Sequence, residues 1–124
     1  MLAAALRFAV VGASNSVIGI LVIYVAWRAL GWSDLAANAL GYAVGFVWGF
    51  GLNRTWTFGD HGKIGASFLR YLAVCAIAFA ANLLAVVEAR KMLGAETFAP
   101  QLIGVCVYTV IAFLGSRLYA FRGR

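Results

Sequence analysis

Hydrophobic residues fill four stretches of the chain, roughly 8 to 30, 35 to 52, 68 to 87 and 101 to 119, and polar residues crowd into the segments between them. Each stretch is close to the ~20 residues that a helix rising ~1.5 Å per residue needs to cross ~30 Å of hydrocarbon. The pattern predicts an all-α membrane protein: one domain over 1–124, with four transmembrane helices in two antiparallel hairpins. In the second stretch Ala37, Gly41, Gly45, Gly49 and Asn53 recur every fourth residue. On a helix they form one small-residue face that another backbone or a lipid chain can approach closely. In the first stretch Gly12, Asn15, Ser16 and Gly19 share a face expected to point into the bundle. Ser33 or Asp34 is placed to cap the second helix, and Pro100 suits the first turn of the fourth. The glycines and charges of GDHGKIGAS predict a solvated, mobile loop ahead of a helix starting near Ser67, and EARKMLGAETFA a longer loop on the opposite side.

Composition agrees with a bilayer as solvent. At 65% hydrophobic and 11% charged residues, a 124-residue soluble domain would leave too much apolar surface wet. The first stretch exceeds the ~7 to 15 apolar residues of a cleavable signal and no small-residue cleavage site closes it, so it is expected to stay in the mature protein. The charges are placed unevenly. Arg7, Arg54, Lys63, Arg70, Arg117, Arg122 and Arg124, with Asp60, fall on one side of a four-span bundle, and Arg28, Arg90 and Lys91, with Asp34, Glu88 and Glu96, on the other. One face then carries +6 and the other 0, so the positive-inside rule puts both termini in the cytoplasm. With so little polar surface, that asymmetry speaks for membrane orientation and against nucleic acid as a partner. Cys75 and Cys106 fall at different depths of their spans, which argues against a disulfide.

Sliding the chain against itself by 63 residues lays 7–58 on 70–121 without a gap. Arg7 meets Arg70, Gly31 meets Gly94, Gly41 meets Gly104, Arg54 meets Arg117 and Phe58 meets Phe121, while Phe8 with Tyr71 and Trp56 with Tyr119 keep an aromatic. Two hairpins entering the membrane the same way up imply a pseudo-twofold axis along its normal, with Arg54 and Arg117 as mates at one depth.

The polar residues inside spans need partners. Asn15 lies ~12 Å in from Arg7 and Asn82 ~18 Å in from Arg70 along a helix; Asn38 is in the second span. They either join helices by hydrogen bonds of ~0.6 to 2 kcal/mol each or line a polar path for a headgroup. Arg54 and Arg117, beside the aromatic belt of Trp56, Phe58, Tyr119 and Phe121, are accounted for by membrane orientation alone. Following Asn53 and Ser116, they could also hold a phosphate with two guanidinium forks. His61 reads as solvated. No phosphate-cradling glycine loop, ligand-spaced metal cluster or nucleophile beside the histidine is present, so neither an enzyme nor a cofactor is expected. No carboxylate occupies the middle of a span, which disfavours a small-multidrug-resistance-like exporter.

The segments RFAVVGASN, AN at 37–38, LNRTWTF at 52–58, RYLAV at 70–74, Asn82 and SRLYAF at 116–121 together resemble the GtrA-like family, small bacterial four-span proteins of cell-surface polysaccharide assembly. The likeness covers nearly the whole chain, and Asn-Arg-x-Trp-x-Phe is its most specific part. It implies movement of a polyprenyl-phosphate-linked sugar, or of the carrier lipid itself, across the bacterial cytoplasmic membrane. By matching position it implicates Asn15, Asn38, Asn53, Arg54, Trp56, Phe58, Arg70, Asn82 and Arg117. Ser116, Tyr119 and Ala120 depart from the motif in the second half, which makes the first half the stronger phosphate grip. The residues suggest a mechanism in which Arg54 and Arg117 catch the phosphate and Arg7 and Arg70 add field. The prenyl chain stays in lipid or lies along the glycine face of the second helix, and the sugar passes Asn15 and Asn82. A membrane glycosyltransferase is the expected partner, and the small-residue face suggests a homodimer or larger oligomer. The alternative is a non-transporting anchor for a glycosyltransferase.

Overall fold

Apolarity and helix length part company in this chain. The computed structural model describes residues 1–94 and 98–123; Glu96 and Arg124, which entered the charge tally, lie outside them. Helix α1 covers Leu2–Tyr24, α2 Asp34–Leu52, α3 Ile64–Leu93 and α4 Ala99–Gly115. Three of them run on into a five-residue π-helical turn: Val25–Ala29 after α1, Asn53–Thr57 after α2 and Ser116–Ala120 after α4. The described residues hold no strand, and four helical spans are long and apolar enough to cross a membrane. This is an all-α, multi-pass membrane protein.

Helix α3 departs most from the expectation. It starts at Ile64 rather than near Ser67 and runs through Glu88, Arg90 and Lys91 to Leu93, absorbing half of the expected outer loop. Glu, Ala, Arg, Lys, Met and Leu are good helix formers, and backbone bonding does not stop where hydrocarbon ends. Loss of hydrophobicity therefore marks the lipid boundary, not the end of the helix. Glu88 and Lys91 pair at 3.1 Å on the exposed surface. At the start of α2, Ser33 Oγ accepts from the Ala36 amide at 3.2 Å. Pro100 sits in the first turn of α4, where a missing N–H is harmless.

The chain divides into two units, Met1–Gly59 and Asp60–Arg124, each a hairpin. In the first, the buried line of α2 is Ala37, Gly41, Gly45 and Gly49, the small-residue face read from the sequence. Its occupant is α1. A Cβ on Gly41 would collide with Ile23 and come within 2.8 Å of the Gly19 carbonyl oxygen, and one on Gly45 would lie 2.7 Å from Asn15 Oδ1. That corrects two expectations: the face is open neither to a prenyl chain nor to a second copy. Between lipid-bathed helices association rests on close packing, and bare backbone gives the closest approach. The expected face of α1 also narrows. Asn15 and Gly19 meet α2, whereas Gly12 and Ser16 are exposed, with Ser16 Oγ bonded back to the Gly12 carbonyl at 3.2 Å.

The second unit packs likewise, Gly104 against Asn82 and Val86, and Gly115 against Val74. Many features recur 63 residues on. Val11 and Val74, Ala26 and Ala89, Phe58 and Phe121 are buried, and Gly31 and Gly94 both take positive φ, 69° and 95°, after the first helix of each hairpin. The outward faces are apolar, with Val17, Ile20, Leu21, Leu72, Ile77 and Leu84 all exposed. Lipid is the solvent that tolerates them.

Candidate functional site

The Asn-Arg-x-Trp-x-Phe segment forms the π-helical turn after α2. Phe58 closes it by donating its amide to the Asn53 carbonyl at 2.9 Å; in the second unit Phe121 does the same to Ser116 at 2.9 Å. The wider turn lets two successive residues face inward. Thr57 and Phe58 are buried, as are Ala120 and Phe121, while Trp56 and Tyr119 remain 44% and 46% exposed. Within the turn Thr57 Oγ1 donates to Asn53 Oδ1 at 2.9 Å. Asn53 and Phe58 therefore shape the turn.

Arg7 and Arg70 clamp these turns. The end of a helix leaves carbonyls without intrahelical donors, and a guanidinium there also meets the negative end of the helix dipole. Arg7 Nη1 donates to the Trp56 carbonyl at 3.0 Å and its guanidinium lies over the Trp56 ring at 5.3 Å. Arg70 Nε reaches the Tyr119 carbonyl at 3.0 Å and, with Nη2, the Ala120 carbonyl at 3.2 and 3.1 Å, with Tyr119 below it at 6.0 Å. The next residue adds a ring contact in each unit, Phe8 to Phe58 at 6.2 Å and Tyr71 to Phe121 at 5.3 Å. Both arginines, expected to add field to a phosphate, are thus engaged by backbone, because a helix end supplies oxygen acceptors without any ligand. Arg54 and Arg117 take the second place of their turns, each half-buried.

The asparagines separate. Asn38 Nδ2 donates to the Asp34 carbonyl of its own first turn at 2.8 Å and joins no other helix. Asn15 and Asn82 each turn a buried Oδ1 with no hydrogen-bond partner toward a glycine of the neighbouring helix, Gly45 and Gly104. Glycine Cα–H groups are weak donors to such an oxygen. The two amides are one helical turn out of register: 63 residues from Asn15 stands buried Ala78, and 63 residues before Asn82 stands Gly19, which meets Gly41.

The clamped Asn-Arg turn is repeated with its arginine in the chain's second hairpin, and a family described as GtrA/DPMS, transmembrane domain, matches residues 7–121. The chain belongs to this GtrA/DPMS family. No curated protein and no solved structure matches it. Membership fits a role in polysaccharide synthesis with lipid-linked sugars. The matched span begins at clamp residue Arg7 and ends at Phe121, which closes the second turn.

This GtrA/DPMS domain also contains a junction that the sequence reading missed. Asp60, expected in a mobile loop, is 3% exposed. Its carboxylate accepts from Ser67 Oγ in a short hydrogen bond, from the Gly123 amide at 2.8 Å and from the Gly62 amide at 3.4 Å. The His61 amide donates to the Gly123 carbonyl at 3.0 Å, which ties the loop to the chain's end. Glycines at 59, 62 and 65 suggested mobility, whereas Gly123, which lies outside that loop, is needed for fit: a Cβ there would lie 2.5 Å from Asp60 Oδ1. The signal available was a carboxylate seven residues ahead of a helical serine. Trp48 Nε1 donating to Ser14 Oγ at 3.0 Å was likewise unforeseen.

Proposed function

We propose that the protein translocates a polyprenyl-phosphate-linked sugar, or the carrier lipid, across the bacterial cytoplasmic membrane for cell-surface polysaccharide assembly, without catalysing a reaction. The observation that carries this reading is Arg54, half-buried in a π-helical turn whose other members are fixed: Asn53 by Thr57, the Trp56 carbonyl by Arg7, and Phe58 by Phe8. A guanidinium on such a turn is preorganised for a phosphate and loses little freedom on binding it. Arg117 is its counterpart in the second unit, with Ser116 in place of the asparagine. The prenyl chain stays in lipid; an apolar groove of about 400 Å³ along α2, lined by Ala43, Val44, Val47 and Trp48, offers it a track on the same helix. On this reading the chain itself hydrolyses no nucleotide. Gradient, membrane potential or consumption of the product by a membrane glycosyltransferase supplies the direction, and one negative charge leaving an interior-negative cell gains ~2.3 kcal/mol per 100 mV. Self-association remains part of the proposal, through the exposed outer faces rather than the covered glycine face.

The test is a sided flip assay in proteoliposomes with a short-chain polyprenyl-phosphate sugar. Wild-type protein should exceed empty vesicles, Arg54→Ala should lose at least ~10-fold, the worth of one charge-assisted hydrogen bond, and Arg117→Ala less. Wild-type flux equal to that of empty vesicles, with the fold intact, ends the proposal. A second reading, an anchor for a glycosyltransferase, draws on the loop at 60–63 being tied down with His61 and Lys63 exposed. It predicts enzyme co-purification lost in His61→Ala/Lys63→Ala, without flux. A drug exporter has less support, since Glu88 is exposed and paired with Lys91.

A further inference from the structure

We infer that Arg70, Tyr119 and Arg122, all in the second unit, form a binding site for the headgroup of an anionic phospholipid. Two guanidinium groups lie over one ring, Arg70 at 6.0 Å and Arg122 at 5.4 Å from the Tyr119 centroid. Arg70 is compensated by the carbonyls of Tyr119 and Ala120. Arg122 is exposed, and its ring contact is with a neutral group. Two like charges drawn to one neutral ring repel each other, and an anion held beside them relieves that repulsion.

The position of Arg122 is built, not that of a loose tail. The next residue, Gly123, is held on both sides of its peptide, its amide by the buried Asp60 carboxylate at 2.8 Å and its carbonyl by His61 at 3.0 Å. The cluster closes the end of a membrane-spanning helix, and Leu118 beside it is 68% exposed. A phosphate with acyl chains attached satisfies both surfaces, cationic at the rim and apolar below it; a water-soluble phosphate satisfies only one. The first unit supplies a control within the same chain. There Arg7 lies over Trp56, but the residue 63 places before Arg122 is Gly59, with φ of 62°, in place of an arginine.

The experiment is native mass spectrometry of the full-length protein released from nanodiscs of phosphatidylglycerol and phosphatidylcholine. Wild-type protein should retain one phosphatidylglycerol in preference to phosphatidylcholine. Arg122→Gln should lower that retention at least fivefold and Arg122→Lys, which keeps the charge but not the planar edge, by less. Arg28→Gln, an exposed cation at the far end of the first hairpin, should change it less than twofold. Excess inorganic phosphate should not displace the lipid. Equal retention by Arg122→Gln and wild type, equal retention of the two lipids, an equal loss in Arg28→Gln, or displacement by inorganic phosphate would each overturn the inference. Because this readout needs no flux, it succeeds or fails independently of translocation.

Discussion

Glycine in this chain is selected by what lies opposite it, position by position. At Gly41 the obstacle is partly backbone, the Gly19 carbonyl oxygen, which cannot swing aside. At Gly45 the nearest obstacle is the Asn15 amide, and at Gly104 the Asn82 amide with Val86 beside it. Gly12 and Gly51 face open space. Alanine at Gly41 should therefore cost ~1 to 3 kcal/mol through overpacking, while Gly12→Ala should be neutral or stabilising by up to ~1 kcal/mol from helix propensity. Equilibrium unfolding in mixed micelles distinguishes them. A sharper outcome concerns the amides: Gly45→Ala should be destabilising, and adding Asn15→Ala should recover part of the loss. Coupling of ~0.5 kcal/mol or more in the double-mutant cycle is expected for residues in contact, and none is expected between Gly41→Ala and Asn15→Ala.

Among elements, the π-helical turn is what the arginine clamps serve. Without Arg7 or Arg70 the last carbonyls of each hairpin's second helix would have to find other donors at the membrane edge. Arg70 makes three such bonds and Arg7 one, the latter exposed to screening. Arg70→Met should accordingly destabilise by ~1 to 2 kcal/mol and Arg7→Met by less than ~1 kcal/mol, measured in the same unfolding experiment. Equal effects would mean that the rings, not the carbonyls, hold the turn. The resemblance to a known motif gave nine candidate residues one status and the suggested mechanism added Arg7, but their positions divide the ten. Asn53, Phe58, Arg7 and Arg70 build the turn, Trp56 lends a carbonyl and a ring, Asn38 bonds within its own helix, Asn15 and Asn82 meet glycines, and Arg54 and Arg117 sit half-buried on the turn itself.

For the whole molecule the basic residues carry a prediction about orientation. Arg7, Arg54, Arg70, Arg117 and Arg122 all belong to the hairpin ends that hold the π-helical turns after α2 and α4, whereas Arg28, Arg90 and Lys91 belong to the opposite ends. By the positive-inside rule the turns are expected in the cytoplasm. In a cysteine-free background, His61→Cys should resist a membrane-impermeant maleimide added to intact spheroplasts, and Trp32→Cys should react. The reverse labelling would invert the outward direction proposed for the substrate.

The sequence by itself determined the number of spans, the all-α class, the small-residue face of α2 and the 63-residue spacing of its matching positions, and it narrowed the cap of α2 to Ser33 or Asp34. These follow from periodicity and from the length of apolar runs, which a bilayer enforces on any chain that crosses it. Only tertiary structure decided what covers the glycine face, which arginines are engaged by backbone, that Asp60 is buried beneath Gly123, and that α3 outlasts its apolar run. Each depends on which groups meet across a helix pair or a loop closure. Residue type sets what a side chain can bond, but the partner it meets is fixed only when the second helix is in place.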